Sequence, residues 1–220
     1  MNRVILCLAV ACCAIACAAQ SQPQETQGFV RVQSQVIVLE HVRVIDGTGA
    51  PAKPDQAIVI SGGKITAIGS TGSVSLPDGA NRMDFTGYSA LPGLVGMHDH
   101  LFYPAGGGLY HDMPFSFPRL YLAAGVTTIR TTGSIEPYFD LELKKAIDEG
   151  RLIGPKINAT GPYLEGKGAF TRQMHALNGP EDARRTVDYW VAEGVGSFKL
   201  YNWVTRDELR PLPMLRTSME

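Results

Sequence analysis

Apolar and polar residues alternate in short runs from about residue 30 to residue 90. Gln35-Val36-Ile37-Val38-Leu39, His41-Val42-Arg43-Val44-Ile45, Ala57-Ile58-Val59-Ile60 and Lys64-Ile65-Thr66-Ala67-Ile68 read as short strands. Asp46-Gly47-Thr48-Gly49 and Ser61-Gly62-Gly63-Lys64 separate them with hairpin chemistry, which predicts a small antiparallel β domain over 35–91. His41 has no ligand-like neighbour in the sequence and is read as a strand surface residue.

After Pro92 the period changes. Leu94 to His100 is a strand, read as buried on both faces because its Leu-Val-Gly-Met run does not alternate. Ser116 to Ala124 is a helix ended by Gly125, and Val126 to Arg130 is a second strand. Tyr138 to Glu149 is an amphipathic helix with Phe139, Leu143, Ala146 and Ile147 on one face, closed by Gly150. Lys156 to Thr160, Glu181 to Glu193 and Ser197 to Tyr201 continue as strand, helix and strand. Alternating units of this kind imply a parallel sheet and suit a β/α barrel.

The first residues follow neither pattern. Arg3 precedes an apolar run from Val4 to Ala19, and polar residues follow, as in a secretory signal over 1–19 with a linker over 20–34. Two forms are open: cleavage after Ala19, or a lipoprotein acylated at Cys17, which alone would give membrane attachment. Cys7, Cys12, Cys13 and Cys17 are the four cysteines of the chain, so the domain after the signal has neither disulfide nor thiolate ligand. The net charge of −1 (20 basic against 21 acidic residues) shows no basic excess for a nucleic-acid partner.

Two histidines at i and i+2, His98 and His100, close the first barrel-type strand. Alternate strand residues share a face, so both imidazoles can address one ion, and neutral imidazole suits zinc or a similar divalent metal. Active sites of β/α barrels lie at the C-terminal strand ends, where Lys199 also falls. Lys199 admits two readings. Its stem packs while its amine reaches solvent, or it is a desolvated amine that reacts with carbon dioxide to give an anionic carbamate ligand. His111 and His175, in loops after the first and third strands, read as exposed loop residues with substrate contact as the alternative. Gly106-Gly107-Gly108 lacks the strand-to-helix context of a phosphate loop and is a modest candidate for a flexible lid. Trp190 and Trp203 read as packing residues.

Taken together, Val42 to Gly49, Gly63 to Gly69, Leu91-Pro92-Gly93-Leu94-Val95-Gly96-Met97-His98-Asp99-His100, Ala124 to Arg130 and Ser197-Phe198-Lys199-Leu200 resemble the amidohydrolase superfamily. The nearest branch holds imidazolonepropionase-like and Xaa-Pro dipeptidase-like enzymes. The resemblance implies an α/β fold: the N-terminal half of a metal-dependent (β/α)8 (TIM) barrel over 92–209, preceded by a small antiparallel β-sandwich domain, incomplete, over 35–91. It implies one or two divalent ions, such as zinc, with His98 and His100 as ligands and Lys199 as a carboxylated, catalytic bridging ligand. A small amide or dipeptide would be hydrolysed by metal-activated water. Thr131-Thr132-Gly133 departs from relatives, which often carry an acid after the arginine.

The resemblance also implies a histidine on each of the fifth and sixth strands and an aspartate on the eighth, and none is found after Lys199. From Pro92 on the chain is shorter than the roughly 200 residues of a full barrel. Thr205-Arg206-Asp207-Glu208 is a capping box for a further helix, but Pro211 and Pro213 interrupt it and 210–220 loses the likeness. The expectation is a truncated amidohydrolase, either active with ligands from elsewhere, as in a homo-oligomer, or a catalytically inactive fragment.

Overall fold

The computed structural model of the chain describes residue 26 and residues 28–212. The expected signal over 1–19 and most of the aberrant tail lie outside the described residues.

A five-stranded sheet comes first, made of β1 (Val36–Val44), β2 (Lys53–Ser61), β3 (Lys64–Ser70), β4 (Asn81–Asp84) and β5 (Ser89–Ala90). Its order is β3-β2-β1-β4, with β5 also on β1. The β1–β2 and β2–β3 pairs are antiparallel, whereas β4 and β5 run parallel to β1. The expected purely antiparallel sheet is therefore corrected to a mixed one. The polar segment Asn-Arg-Met-Asp of β4 carries no period, and Arg82 holds it in place. The Arg82 guanidinium donates to both oxygens of buried Glu40, from Nε at 2.7 Å and from Nη2 at 2.8 Å, and holds that carboxyl below its ordinary pKa.

The two runs read on either side of Glu40 are one strand with a bulge. Leu39 faces Ile58 and Val42 faces Gln56, three residues on β1 against two on β2. His41 sits at the bulge with φ +59°, and its Nδ1 lies 2.8 Å from Asp55 Oδ1. It is a surface residue, as read, but not one without an acidic neighbour. The bulge shifts the alternation, so that Leu39 and Val42 share the face of Ile58 and Gln56, while Val38, opposite Val59, is buried on the other face. Val42, Val44 and Ile58 form the core of this sheet, with Leu39, Ile60, Phe85 and Ala90 against them. At the β2–β3 turn, Gly62 and Gly63 both have positive φ (+55° and +74°), the conformation a two-residue hairpin needs.

The second region is mixed α/β. In chain order it contains β6 (Leu94–Asp99), the hairpin β7 (Phe102–Gly106) and β8 (Leu109–Asp112), α1 (Ser116–Ala123), β9 (Val126–Thr131), α2 (Pro137–Asp148), β10 (Lys156–Asn158), β11 (Tyr163–Leu164), α3 (Pro180–Ala192), β12 (Lys199–Leu200) and α4 (Arg206–Leu209). The sheet order β10-β9-β6 is parallel throughout, as is the β11–β12 pair. Gly161 links the two sheets: its carbonyl accepts from Ser134 N at 3.1 Å, and its N–H donates to Ser197 O at 2.9 Å. Leu101, Ile129, Leu143, Ile157 and Ala159 make one core, with Phe139 and Ile147 of the expected α2 face packed on it. Leu164, Leu177, Ala183 and Val187 make another under α3. The capping box at Thr205 forms as read, and Glu208 also accepts from Gly179 N at 3.1 Å, tying α4 to the start of α3.

Burial of the first barrel-type strand is corrected. Leu94, Val95 and Met97 of β6 are 60%, 58% and 63% exposed. The strand pairs with β9 on one edge only, and the described residues place no element on the other. His111 is also relocated, from a loop to β8 opposite Tyr103, in a hairpin whose tip is the Gly106–Gly108 triplet. Trp203 is 66% exposed instead of packed.

Candidate functional site

His98 lies near the end of β6, His100 just beyond it, and Lys199 opens β12. The intervening strands bring them together although Lys199 is 101 residues from His98. Lys199 Nζ stands 3.4 Å from His98 Nε2, and the two imidazole centroids are 5.5 Å apart at 86°. All three sequence-derived candidates thus share one place, at the end of β6 and the start of β12.

The backbone around them is pinned by hydrogen bonds from backbone N–H groups and hydroxyls. Thr132 N donates to Asp99 O at 3.0 Å, and Tyr121 Oη donates to His100 O at 2.9 Å. Thr131 and Thr160, both buried, staple the ends of adjacent strands. Thr160 N donates to Thr131 Oγ1 and Gly133 N to Thr160 Oγ1, each at 2.9 Å. Thr131-Thr132, the departure noted in the sequence, is therefore a structural clasp. Gly96 leaves room for the Asp99 carboxylate, whose Oδ2 is buried, since a Cβ there would lie 1.8 Å from that atom.

Aromatic rings enclose His100 and Lys199. The His100 ring lies 4.7 Å from Phe102 and 6.3 Å from Tyr163, at 24° to the latter. Lys199 Nζ is 5.1 Å from the centroids of both Tyr163 and Tyr201. The β11–β12 register, which sets Tyr163 opposite Lys199, produces this contact. Gly133 is held under the Tyr163 ring at φ +80°, where a Cβ would meet the ring at 2.8 Å.

Burial decides the electrostatics. It pushes the His100 pKa down to about 4, helped by the charge of Lys199 and by His98, so the imidazole is neutral at neutral pH. His100 Nδ1 is buried without a hydrogen-bond partner. Burial also lowers the Lys199 ammonium from its usual range. Two carboxyls that sequence reasoning missed are raised: Asp140 to about 7 by burial, and Asp112 to about 7 by burial and then by the charges of Asp140 and Glu136. His175 stays exposed, with its Nε2 2.8 Å from Asp182 Oδ2. Among the described residues no group of three or more His, Cys, Asp or Glu is placed to hold a metal ion.

Solved structures share this arrangement of elements. A Bifidobacterium longum protein assigned as a prolidase is 28% identical, with a TM-score of 0.63 over 78% of this chain and 42% of its own. A Xaa-Pro dipeptidase with methionine bound in its active site is 22% identical (TM-score 0.59; 75% of this chain, 46% of its own). An amidohydrolase is 18% identical (TM-score 0.62; 75% and 46%). No protein-family model and no curated protein matches. The fold is similar to that of these solved chains, and the chain spans less than half their length.

Proposed function

We propose that this chain carries the first part of the active site of a metal-dependent hydrolase acting on amide C–N bonds in small substrates, dipeptides among them. The convergence of His98, His100 and Lys199 at the end of β6 and the start of β12, with Nζ 3.4 Å from Nε2, carries the reading. β6, β9, β10 with β11, and β12 are the first four strands of a (β/α)8 barrel over 92–209 in this reading, and the sheet before them belongs to a small β domain over 35–91.

The donor set fits a divalent ion such as zinc. His98 and His100 would hold it through neutral imidazoles, and the depressed pKa of His100 keeps that lone pair available without competition from a proton. Such an ion, when bound, lowers the pKa of water and polarises a carbonyl. Lys199 is partly buried, which lowers its pKa from the usual range. Addition of its lone pair to carbon dioxide forms an N–C bond and releases one proton, giving a carbamate whose oxygens are anionic donors. Phe102 and Tyr163 pack beside the His100 ring, while Tyr163 and Tyr201 flank the Lys199 amine.

A second reading, metal binding without turnover, is favoured by the lack of a further imidazole or carboxylate beside these three among the described residues. Hydrolysis of a panel of dipeptides and N-acyl amino acids, with zinc or cobalt added, separates the two. Turnover abolished by a chelator supports the hydrolase, and bound metal without turnover supports the second reading. Absence of both overturns the proposal.

A further inference from the structure

Tyr163, which walls the His100 and Lys199 site, also lines a cavity of about 470 Å³ that none of His98, His100 and Lys199 reaches. That volume suits a small organic ligand. One wall is aromatic: Tyr189 and Trp190 of α3, with the indole braced 4.7 Å from Tyr138 and 5.3 Å from Tyr189. Ile135, Pro137 and Pro162 add apolar surface.

The polar groups around it differ in how far they are already used. Gln173 is committed. Its Oε1 accepts from Tyr110 N at 2.7 Å, and its Nε2 donates to Tyr110 O at 2.9 Å and to Glu136 Oε1 at 3.0 Å. Asp182 is filled by His175 Nε2 at 2.8 Å, Asn178 N at 2.9 Å and Arg185 Nη2 at 3.3 Å. That long contact to Asp182 occupies one arm of the Arg185 guanidinium, leaving donors of a five-donor fork for a ligand. An aromatic wall beside an incompletely used guanidinium matches a ring that bears a carboxylate.

We propose that this cavity binds a small aromatic carboxylate, its ring against Tyr189 and Trp190 and its carboxylate on Arg185. The inference deepens the hydrolase reading: lying beside the strand ends, the cavity would seat the terminal group of the substrate, making N-acyl aromatic amino acids and dipeptides ending in an aromatic residue the substrate class.

The test reads binding, not turnover, so its failure leaves the hydrolase reading standing. In the full chain carrying Trp203→Phe, Trp190 is the remaining tryptophan, and its fluorescence is titrated with N-acetyl-phenylalanine and with the corresponding neutral amide. Saturable binding of the acid is expected, about tenfold weaker for the amide and for Arg185→Gln, with partial recovery in Arg185→Lys. The Arg185 side chain is 67% exposed, so these variants keep the fold, which near-UV circular dichroism verifies. No saturable change, equal binding of acid and amide, or unchanged affinity in Arg185→Gln overturns the proposal.

Discussion

Replacing Asp140 by Asn should make the chain more stable at pH 8 and leave it unchanged near pH 4. Asp140, in the first turn of α2, is 2% exposed, and its Oδ1 has no hydrogen-bond partner. Burial raises its pKa to about 7, against the pull of Ser134 and Thr131. In the unfolded chain the group titrates near its ordinary value of about 3.9. Below that value both states hold the proton. Between it and about 7 the folded state keeps a proton that the unfolded state has lost, so Asp140 removes stability progressively as pH rises, and the loss is complete above about 7. A difference of roughly three units corresponds to at most ~4 kcal/mol. His100 acts in the opposite direction. Its folded pKa of about 4 lies below the unfolded value, so its contribution is present at neutral pH and lost on acidification. The informative quantity is therefore the difference between wild type and Asp140→Asn, measured by urea unfolding at pH 5, 6, 7 and 8. That difference should grow with pH and level off near pH 7 to 8. Parallel pH profiles for the two proteins would refute the reasoning.

Two further perturbations test the packing around the site. Leu143→Ala opens a cavity beside Leu101, Ile129 and Ile157 and should cost about 2–5 kcal/mol, read as a lower urea midpoint with an unchanged slope. Gly133→Ala places a side chain against the Tyr163 ring at positive φ and should cost about 1–3 kcal/mol by the same measurement, whereas Gly168→Ala, at positive φ but with no contact closer than 3.7 Å, should cost less.

The helices and the histidine pair were legible because they are local. Phe139, Leu143, Ala146 and Ile147 repeat at helical spacing, and the glycines that stop α1 and α2 are sequence neighbours of the helix ends. Strand β4 was not legible, since Asn81–Asp84 has no apolar period and owes its place to the Arg82–Glu40 pair, 42 residues apart. The exposure of Leu94, Val95 and Met97 escaped because an apolar run reports what a strand needs, not what covers it. Lys199 could be placed by its strand, but its aromatic surroundings required the register that sets Tyr163 opposite it. Asp140 was hidden for a different reason: an acid in the first turn of a helix has an ordinary explanation in the helix dipole. Its burial beside Thr131 and Ser134 is a property of the packed chain alone.

The central claim is that His98, His100 and Lys199 form a metal site. Metal content per chain, measured by elemental analysis after dialysis against zinc, tests it most directly. At least one equivalent in the wild type, falling to background in a folded His98→Ala variant, is the predicted result. Equal metal content in the two proteins, or none in either, would contradict the account.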